Sequence, residues 1–438
     1  MLALNLEKLV RKIGDYEGHL VSAKLRFSED RLLCALPAMI GEQCKILVSD
    51  ERVIPAEVVG FSSGLTRLMP LESIEHVPVG VPVVRHSQRR TVPVGPGVLG
   101  RILDGLGRPL DGGGPLTQCN RYEVPKEAPR AFERARVSLP FTTGQKAIDA
   151  LLTCGRGQRM GIFSGSGVGK STLLGQVAKT AESDVNVIAL VGERGCELRP
   201  FVEDCLGSSG LARSVVVVST CEQLPLMRIR AVETAISIAD GFRRDGANCM
   251  FFLDSLTRMA MAQRELGLSI GEPPSARGYT PSVFQLMAKT LERLGNDGVG
   301  SITAFVTVLV DGDDLDEPIS DAARALLDGH IVLDRRLAER GHFPAISIAQ
   351  SISRPFLNII ETSHQVAARK LRAILATHAE VEDLIRIGAY TKGANAQVDR
   401  VIDLMPAVTT FLRQELNQRF SFEETRTALD RLAALWPY

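Results

Sequence analysis

Aromatic residues are scarce, 5% of 438, and the stretch from 19 to 90 holds only Phe27 and Phe61. A surface that stacks the bases of single-stranded nucleic acid needs aromatic platforms in a positive groove. Charge of one sign is lacking as well: Lys plus Arg and Asp plus Glu both number 51, so formal net charge is zero. Neither feature favours a nucleic-acid partner, and bulk charge offers nothing to a membrane surface. No run approaches the ~18 apolar residues of a membrane span. Residues 1–14 carry Glu7, Lys8, Arg11 and Lys12, which interrupt any signal-peptide core. The expectation is a cytoplasmic protein whose membrane role, if it has one, is peripheral. The eight cysteines contain no C-x-x-C pair and read as free thiols in a reducing cytosol. Seven histidines without H-x-x-x-H spacing argue against zinc. The acidic run 311–316 lacks the remaining ligands of a calcium loop and reads as a solvated turn.

What is present is a globular chain long enough for two or three domains, 45% hydrophobic, without repeats or low-complexity tracts. Residues 1–18 read as a short amphipathic helix with Leu4, Leu6, Leu9, Val10 and Ile13 on one face. From 19 to 90, short alternating runs separated by turn residues read as a small β-barrel. The glycine- and proline-rich stretch 94–115 marks a junction. Between about 135 and 355 apolar strand signals (160–163, 187–191, 214–219, 249–253, 302–309, 330–333) alternate with helical ones, notably 226–244. That pattern implies an α/β core with a mostly parallel sheet covered on both faces. The core is assigned to 91–360. Residues 361–438 show helical signals only and read as a helical bundle.

The chemistry centres on residues 164–171, Ser-Gly-Ser-Gly-Val-Gly-Lys-Ser, set between an apolar strand and a helix. This is the context of a phosphate-binding loop. Glycines let successive backbone N–H groups point into one concavity, and the helix N-terminus adds positive partial charge. Gly165, Ser166, Gly167, Val168, Gly169, Lys170, Ser171 and Thr172 are therefore the candidate nucleotide contacts. Lys170 is placed at the β- and γ-phosphates and the Ser171 hydroxyl on Mg²⁺. Ser164 stands where the motif usually has its first glycine. Asp254 ends the apolar run 249–254 and is the candidate holder of a Mg²⁺-bound water. Glu193, just past a strand signal, reads equally as a carboxylate that orients the lytic water and as an acid favoured by a helix N-terminus.

Several further segments carry a resemblance: 143–149 (Thr-Gly-Gln-Lys-Ala-Ile-Asp), 155–159 (Gly-Arg-Gly-Gln-Arg), 254–258 (Asp-Ser-Leu-Thr-Arg), 271–274 (Gly-Glu-Pro-Pro) and 277–284 (Arg-Gly-Tyr-Thr-Pro-Ser-Val-Phe). Together they resemble the hexameric ATPases of type III protein export, relatives of the catalytic subunit of rotary ATP synthases. The resemblance spans essentially the whole chain. It implies a RecA-like P-loop ATPase core between an N-terminal β-barrel and a C-terminal helical domain, with ATP and Mg²⁺ as ligands. It assigns Lys170 and Ser171 to phosphate and metal, Asp254 to the metal side, Glu193 to catalysis and Arg194 to a neighbouring active-site position. Segment 351–354 (Ser-Ile-Ser-Arg) resembles the source of an arginine finger for the adjacent subunit, so Arg354, on its chemistry alone a surface arginine, becomes a catalytic candidate. Segment 341–345 (Gly-His-Phe-Pro-Ala) resembles the one whose aromatic stacks on adenine. Phe343 holds that place, and on its chemistry alone it reads as a core phenylalanine.

The tail, 387–395 (Ile-Gly-Ala-Tyr-Thr-Lys-Gly-Ala-Asn), lacks the acidic loop of the rotary subunits and is similar to the export branch. With 421–424 (Ser-Phe-Glu-Glu) it is closer to flagellar than to injectisome members. The resemblance implies a homohexamer beneath an export gate at the inner membrane, with a stator-like regulator, a central stalk subunit and chaperone–cargo complexes as partners. Rival readings are a ring-shaped nucleic-acid translocase, disfavoured by the barrel's having only two aromatics and by the neutral charge, and a non-catalytic nucleotide-binding scaffold, disfavoured by Lys170, Glu193 and Arg354 together.

Overall fold

The computed structural model describes residues 22–28, 31–86, 90–124, 128–310, 312 and 314–437, so the helix expected over 1–18 lies outside the described residues. Seven strands come first: β1 (Ser22–Lys24), β2 (Arg26–Ser28), β3 (Arg31–Cys34), β4 (Gln43–Leu47), β5 (Val53–Ser62), β6 (Leu65–Pro70) and β7 (Pro82–Arg85). They pair antiparallel in the order β1-β7-β4-β5-β6-β3-β2. The two ends of that order, β1 and β2, are separated in the chain by Leu25 alone, so the sheet curls back on itself as a barrel. Period-2 alternation drives the closure. Cys44 and Ile46 of β4 point inward with Ile54, Ala56 and Val58 of β5, and Leu25 plugs the seam.

Beyond the barrel, β8 (Thr91–Val94) pairs antiparallel with β10 (Asn120–Glu123), while β9 (Ile102–Leu103) adds to the edge of the main sheet. The stretch 94–115 therefore supplies a sheet edge as well as a junction, and two strand residues carry too little periodicity to be read from sequence. A short pair, β11 (Pro140–Phe141) and β12 (Cys154–Gly155), flanks α1 (Lys146–Leu151).

The main sheet is built from β13 (Arg159–Ser164), β14 (Val185–Val191), β15 (Ser214–Ser219), β16 (Asn248–Asp254), β17 (Gly295–Asn296), β18 (Ser301–Leu309), β19 (Gly329–Leu333) and β20 (Ile346–Ser353). Its order is β20-β19-β13-β18-β16-β14-β15-β9, parallel from β19 to β9, with β20 antiparallel at the edge and β17 antiparallel on β18. Every residue of β14 and β15 is buried, the continuous apolar run of a strand covered on both faces. Ile188 and Leu190 of β14 face one core cluster, and Val187, Ala189 and Val191 face the other.

On the first face lies α2 (Lys170–Thr180), with α3 (Gly195–Pro200) and α4 (Gly207–Ala212) beyond it; on the second lie α5 (Pro225–Arg244), α6 (Leu256–Ile270) and α7 (Pro281–Leu291). Short helices α8 (Pro318–Leu326), α9 (Arg335–Glu339) and α10 (Phe356–Ile359) lead to the tail helices α11 (Thr362–Arg386), α12 (Ala396–Leu412) and α13 (Phe422–Ala434). Leu371, Ile374, Val401, Leu404, Val408 and Leu429 of the tail join the cluster that holds Leu173, Leu174 and Val177 of α2. The helical tail thus shares a core with the helix that opens the phosphate loop.

Candidate active site

The strand β13 ends at Ser164, which is paired with Leu309 of β18 and buried. Ser164 is still strand backbone, so this position does not need glycine's freedom, and the departure from the usual motif has no conformational consequence. The turn comes later, at Gly167 (φ 80°) and Gly169 (φ 95°), left-handed values that favour glycine. Gly169 caps α2, whose first N–H groups have no intrahelical acceptor and line the loop's concavity. Val168 sends its side chain into the core, leaving only its backbone for a ligand.

Three charged side chains converge here from three elements. Lys170 Nζ donates to Asp254 Oδ1 at 2.6 Å and lies 3.9 Å from Glu193 Oε1. Asp254 is the last residue of β16, opposite Leu190 of β14, and Glu193 follows the end of β14 by two residues. All three therefore stand at the carboxyl ends of parallel strands, where open α/β sheets form their crevice. Thr307 of β18 donates its hydroxyl to Asp254 Oδ1 at 2.8 Å and helps fix that carboxylate.

Glu193 Oε1 is buried without a hydrogen-bond partner. Burial and then the Asp254 charge push its carboxyl up to about 7, with the Lys170 ammonium pulling the other way. A carboxyl that ionises near neutrality can accept a proton from water, which an ordinary glutamate does poorly. Beside it sits Arg258 on the first turn of α6. Gly192 (φ 74°) makes room for this arginine, since a β-carbon there would lie 2.7 Å from Arg258 Cβ. The Arg258 charge favours ionised Glu193, and its Nε is buried without a partner.

Not every expected residue joins this group. Phe343 does approach, half-exposed, with its ring 3.7 Å from where a β-carbon on Gly169 would be. Arg194, which caps α3, instead turns outward, its guanidinium 3.8 Å from Glu197 of that helix. Arg354 lies at the opposite end of the sheet. Its N–H donates to the Asp328 carbonyl beside the start of β19, and its guanidinium to the Arg324 carbonyl at 2.9 Å. A cavity of about 290 Å³ opens beside the loop between Ser164, Gly165, Val310, Val332 and Arg335, but Lys170, Glu193 and Asp254 do not line it. Thr307 and Arg258 were not singled out by sequence reasoning. Arg258 had a usable signal, one helical turn after a strand-end acid; Thr307, inside a buried strand, had none.

A phosphate loop, a strand-end aspartate and a half-buried glutamate on one parallel sheet define a P-loop ATPase core, here set between a barrel and a helical tail. Comparison with known proteins makes the assignment finer. Residues 144–353 match the ATP synthase alpha/beta family nucleotide-binding domain, and residues 360–431 match the T3SS EscN ATPase C-terminal domain. The flagellum-specific ATP synthase of Treponema pallidum is 46% identical over 96% of this chain and 94% of its own length. The type 3 secretion system ATPase of Xanthomonas euvesicatoria is 43% identical over 88% of each. The assembled ATPase EscN of enteropathogenic E. coli superposes with a TM-score of 0.88 at 40% identity, covering 94% of this chain and all of that one, and EscN has also been solved with its central stalk EscO. The chain belongs to the family of flagellum-specific and type III secretion ATPases.

Proposed function

We propose that this ATPase drives flagellar type III protein export as a ring of six identical copies, hydrolysing MgATP at the interfaces between them. The observation that carries the interfacial reading is the position of Arg354. It flanks the start of the parallel strands, whereas Lys170, Asp254 and Glu193 stand at their ends. The length of β13 separates the two, roughly 17 Å at about 3.3 Å per residue. Arg354 cannot serve its own chain's site and is exposed for a neighbour's. The assembled state named for EscN supports a ring, and its stalk complex supports a central stalk partner.

In the cycle this geometry supports, the loop N–H groups and Lys170 hold the β- and γ-phosphates. A water aligned by Oε1 of Glu193, which has no hydrogen-bond partner, attacks the γ-phosphorus and gives its proton to that carboxylate. The bond from phosphorus to the bridging oxygen breaks, and ADP leaves with the electron pair. Arg354 of a neighbouring copy stabilises charge on the transferring phosphoryl oxygens. The Asp254 carboxylate already draws the Lys170 ammonium to it, and with the Ser171 hydroxyl and phosphate oxygens it makes an all-oxygen donor set suited to Mg²⁺. Ser171 and, through water, Asp254 would hold the ion, which when bound neutralises phosphate charge. Phe343 lies where it can stack on adenine.

The remaining partners in this reading are a stator-like regulator, chaperone–cargo complexes that the motor takes apart and unfolds, and an export gate at the inner membrane. Attachment there is peripheral: among the described residues no helix is long and apolar enough to cross a membrane. The injectisome reading is the second one, supported by the likeness to EscN. Lys170→Ala at the native locus separates them. Loss of swimming in soft agar together with missing extracellular filament protein is the expected result. Normal swimming with a missing set of secreted effectors would move the protein to an injectisome.

A further inference from the structure

The connector 413–421 joins α12 to α13 and lies against the nucleotide site from the side of the tail, at a residue the catalytic account leaves unused. Gln414 is buried, and all of its amide functions are engaged. Its Oε1 accepts the Lys146 N–H at 3.0 Å, and its Nε2 donates to the Gly144 carbonyl at 2.8 Å and the Gln418 carbonyl at 2.9 Å. Its own backbone N–H donates to the Phe343 carbonyl at 3.0 Å. One residue therefore ties three segments: the turn before α1, the connector itself and the turn that carries Phe343.

We propose that Gln414 is a positioning residue that sets the Phe343 ring over the phosphate loop, so that the helical tail governs affinity for the base end of the nucleotide. The inference rests on the reading of Phe343 as the base-stacking side chain. The chemistry of the position is specific to an amide. A carboxylate would place an oxygen against two carbonyl oxygens, and an apolar side chain would leave the Lys146 N–H and both carbonyls without this partner. The surrounding connector makes the link stiff. Asn417 Oδ1 accepts from Lys179 Nζ at 3.0 Å near the far end of α2, and Lys146 Nζ sits 4.6 Å from the centre of the Phe420 ring. The connector thus grips α2 near its C-terminus while Phe343 covers Gly169 at its N-terminus. Displacing the 343 turn changes what lies above the loop without touching Lys170, Asp254 or Glu193.

The test uses the full chain under ring-forming conditions with Gln414→Glu, Gln414→Met, Phe343→Ala and the two double variants, measuring MgATP turnover and binding of ATP and of inorganic tripolyphosphate. Base–aromatic stacking contributes enough that both Gln414 variants should raise KM for MgATP about tenfold. At saturating MgATP, kcat should stay within about twofold, and so should tripolyphosphate affinity, because that probe has no base. In the Phe343→Ala background the Gln414 substitutions should add nothing further, the signature of two residues acting through one contact. Parent-like KM in both Gln414 variants, beside a raised KM in Phe343→Ala, would overturn the role of Gln414. Parent-like KM in Phe343→Ala would instead overturn the stacking reading. Equal loss of tripolyphosphate and ATP affinity, or loss of the folded ring in both Gln414 variants, would show general support of the fold and overturn the proposal as well.

Discussion

At Glu193 burial and the Asp254 charge favour the neutral carboxyl while the Lys170 ammonium favours the ionised one, and the balance falls at about 7. In the proposed cycle the ionised form is the base, so kcat/KM should fall about tenfold per pH unit below that point and level off above it. Removing the base with Glu193→Gln should cost on the order of 10²–10⁴ in kcat, the range of general-base contributions, and abolish the acid limb. Turnover equal to the parent would contradict the assignment. Stability should move the opposite way. A carboxyl whose pKa is raised on folding supports the fold while protonated and withdraws that support as pH rises through about 7. Glu193→Gln is therefore expected to melt above the parent at pH 8, a trade of stability for function that thermal melts can check. Sequence gave Glu193 two equal readings. Its buried oxygen without a hydrogen-bond partner and its charged neighbours support the catalytic reading, and neither is visible in the local residues.

Among the elements, the joint between barrel and core depends on a buried charge cluster. Glu57 of β5 pairs with Arg230 of α5, and Arg230 and Arg90 both hold Glu233. Burial pushes the Glu57 carboxyl up while the Arg230 charge opposes it. For Glu233 the two arginines overcome burial and hold the carboxyl at about 2. Removing one partner of such a cluster strands a buried charge, which typically costs about 3–5 kcal/mol. Glu57→Leu should therefore lower the melting temperature and speed amide exchange in β3–β6, leaving β13–β18 protected. Uniform loss of protection across both sheets would argue that the cluster is not a local joint. None of this was legible beforehand, because Glu57 and Arg230 are 173 residues apart and each reads alone as a surface charge. By contrast the core strands were legible almost to the residue, since fully buried parallel strands announce themselves as unbroken apolar runs. The polar pair Gln350 and Ser351 hid β20, and two residues were too few to show β9.

For the whole molecule the proposed role of Arg354 makes one chain an incomplete catalyst. Specific activity should climb with protein concentration and saturate as rings form. Arg354→Ala should assemble like the parent yet turn over slower by on the order of 10³–10⁵, the worth of fingers supplied in trans. A flat concentration profile from a proven monomer would sink the interfacial site. Inside the chain, the tail residues around α2 place the helical tail and the helix after the phosphate loop in one hydrophobic core.

Sequence by itself determined what is encoded over a few residues: left-handed glycines that shape a phosphate loop, apolar periodicities that separate barrel, sheet and helices, and an acid at a strand end. It also carried the family resemblance, which assigned roles to Lys170, Asp254, Glu193 and Arg354. Only the tertiary structure decided which of those meet. Lys170 and Asp254 are 84 residues apart in the chain and 2.6 Å apart in space because β13 and β16 flank β18 in one sheet. Gln414 reaches Lys146 across 268 residues for the same kind of reason. Strand order and the packing of the tail on one sheet face set these distances, and no local pattern records them.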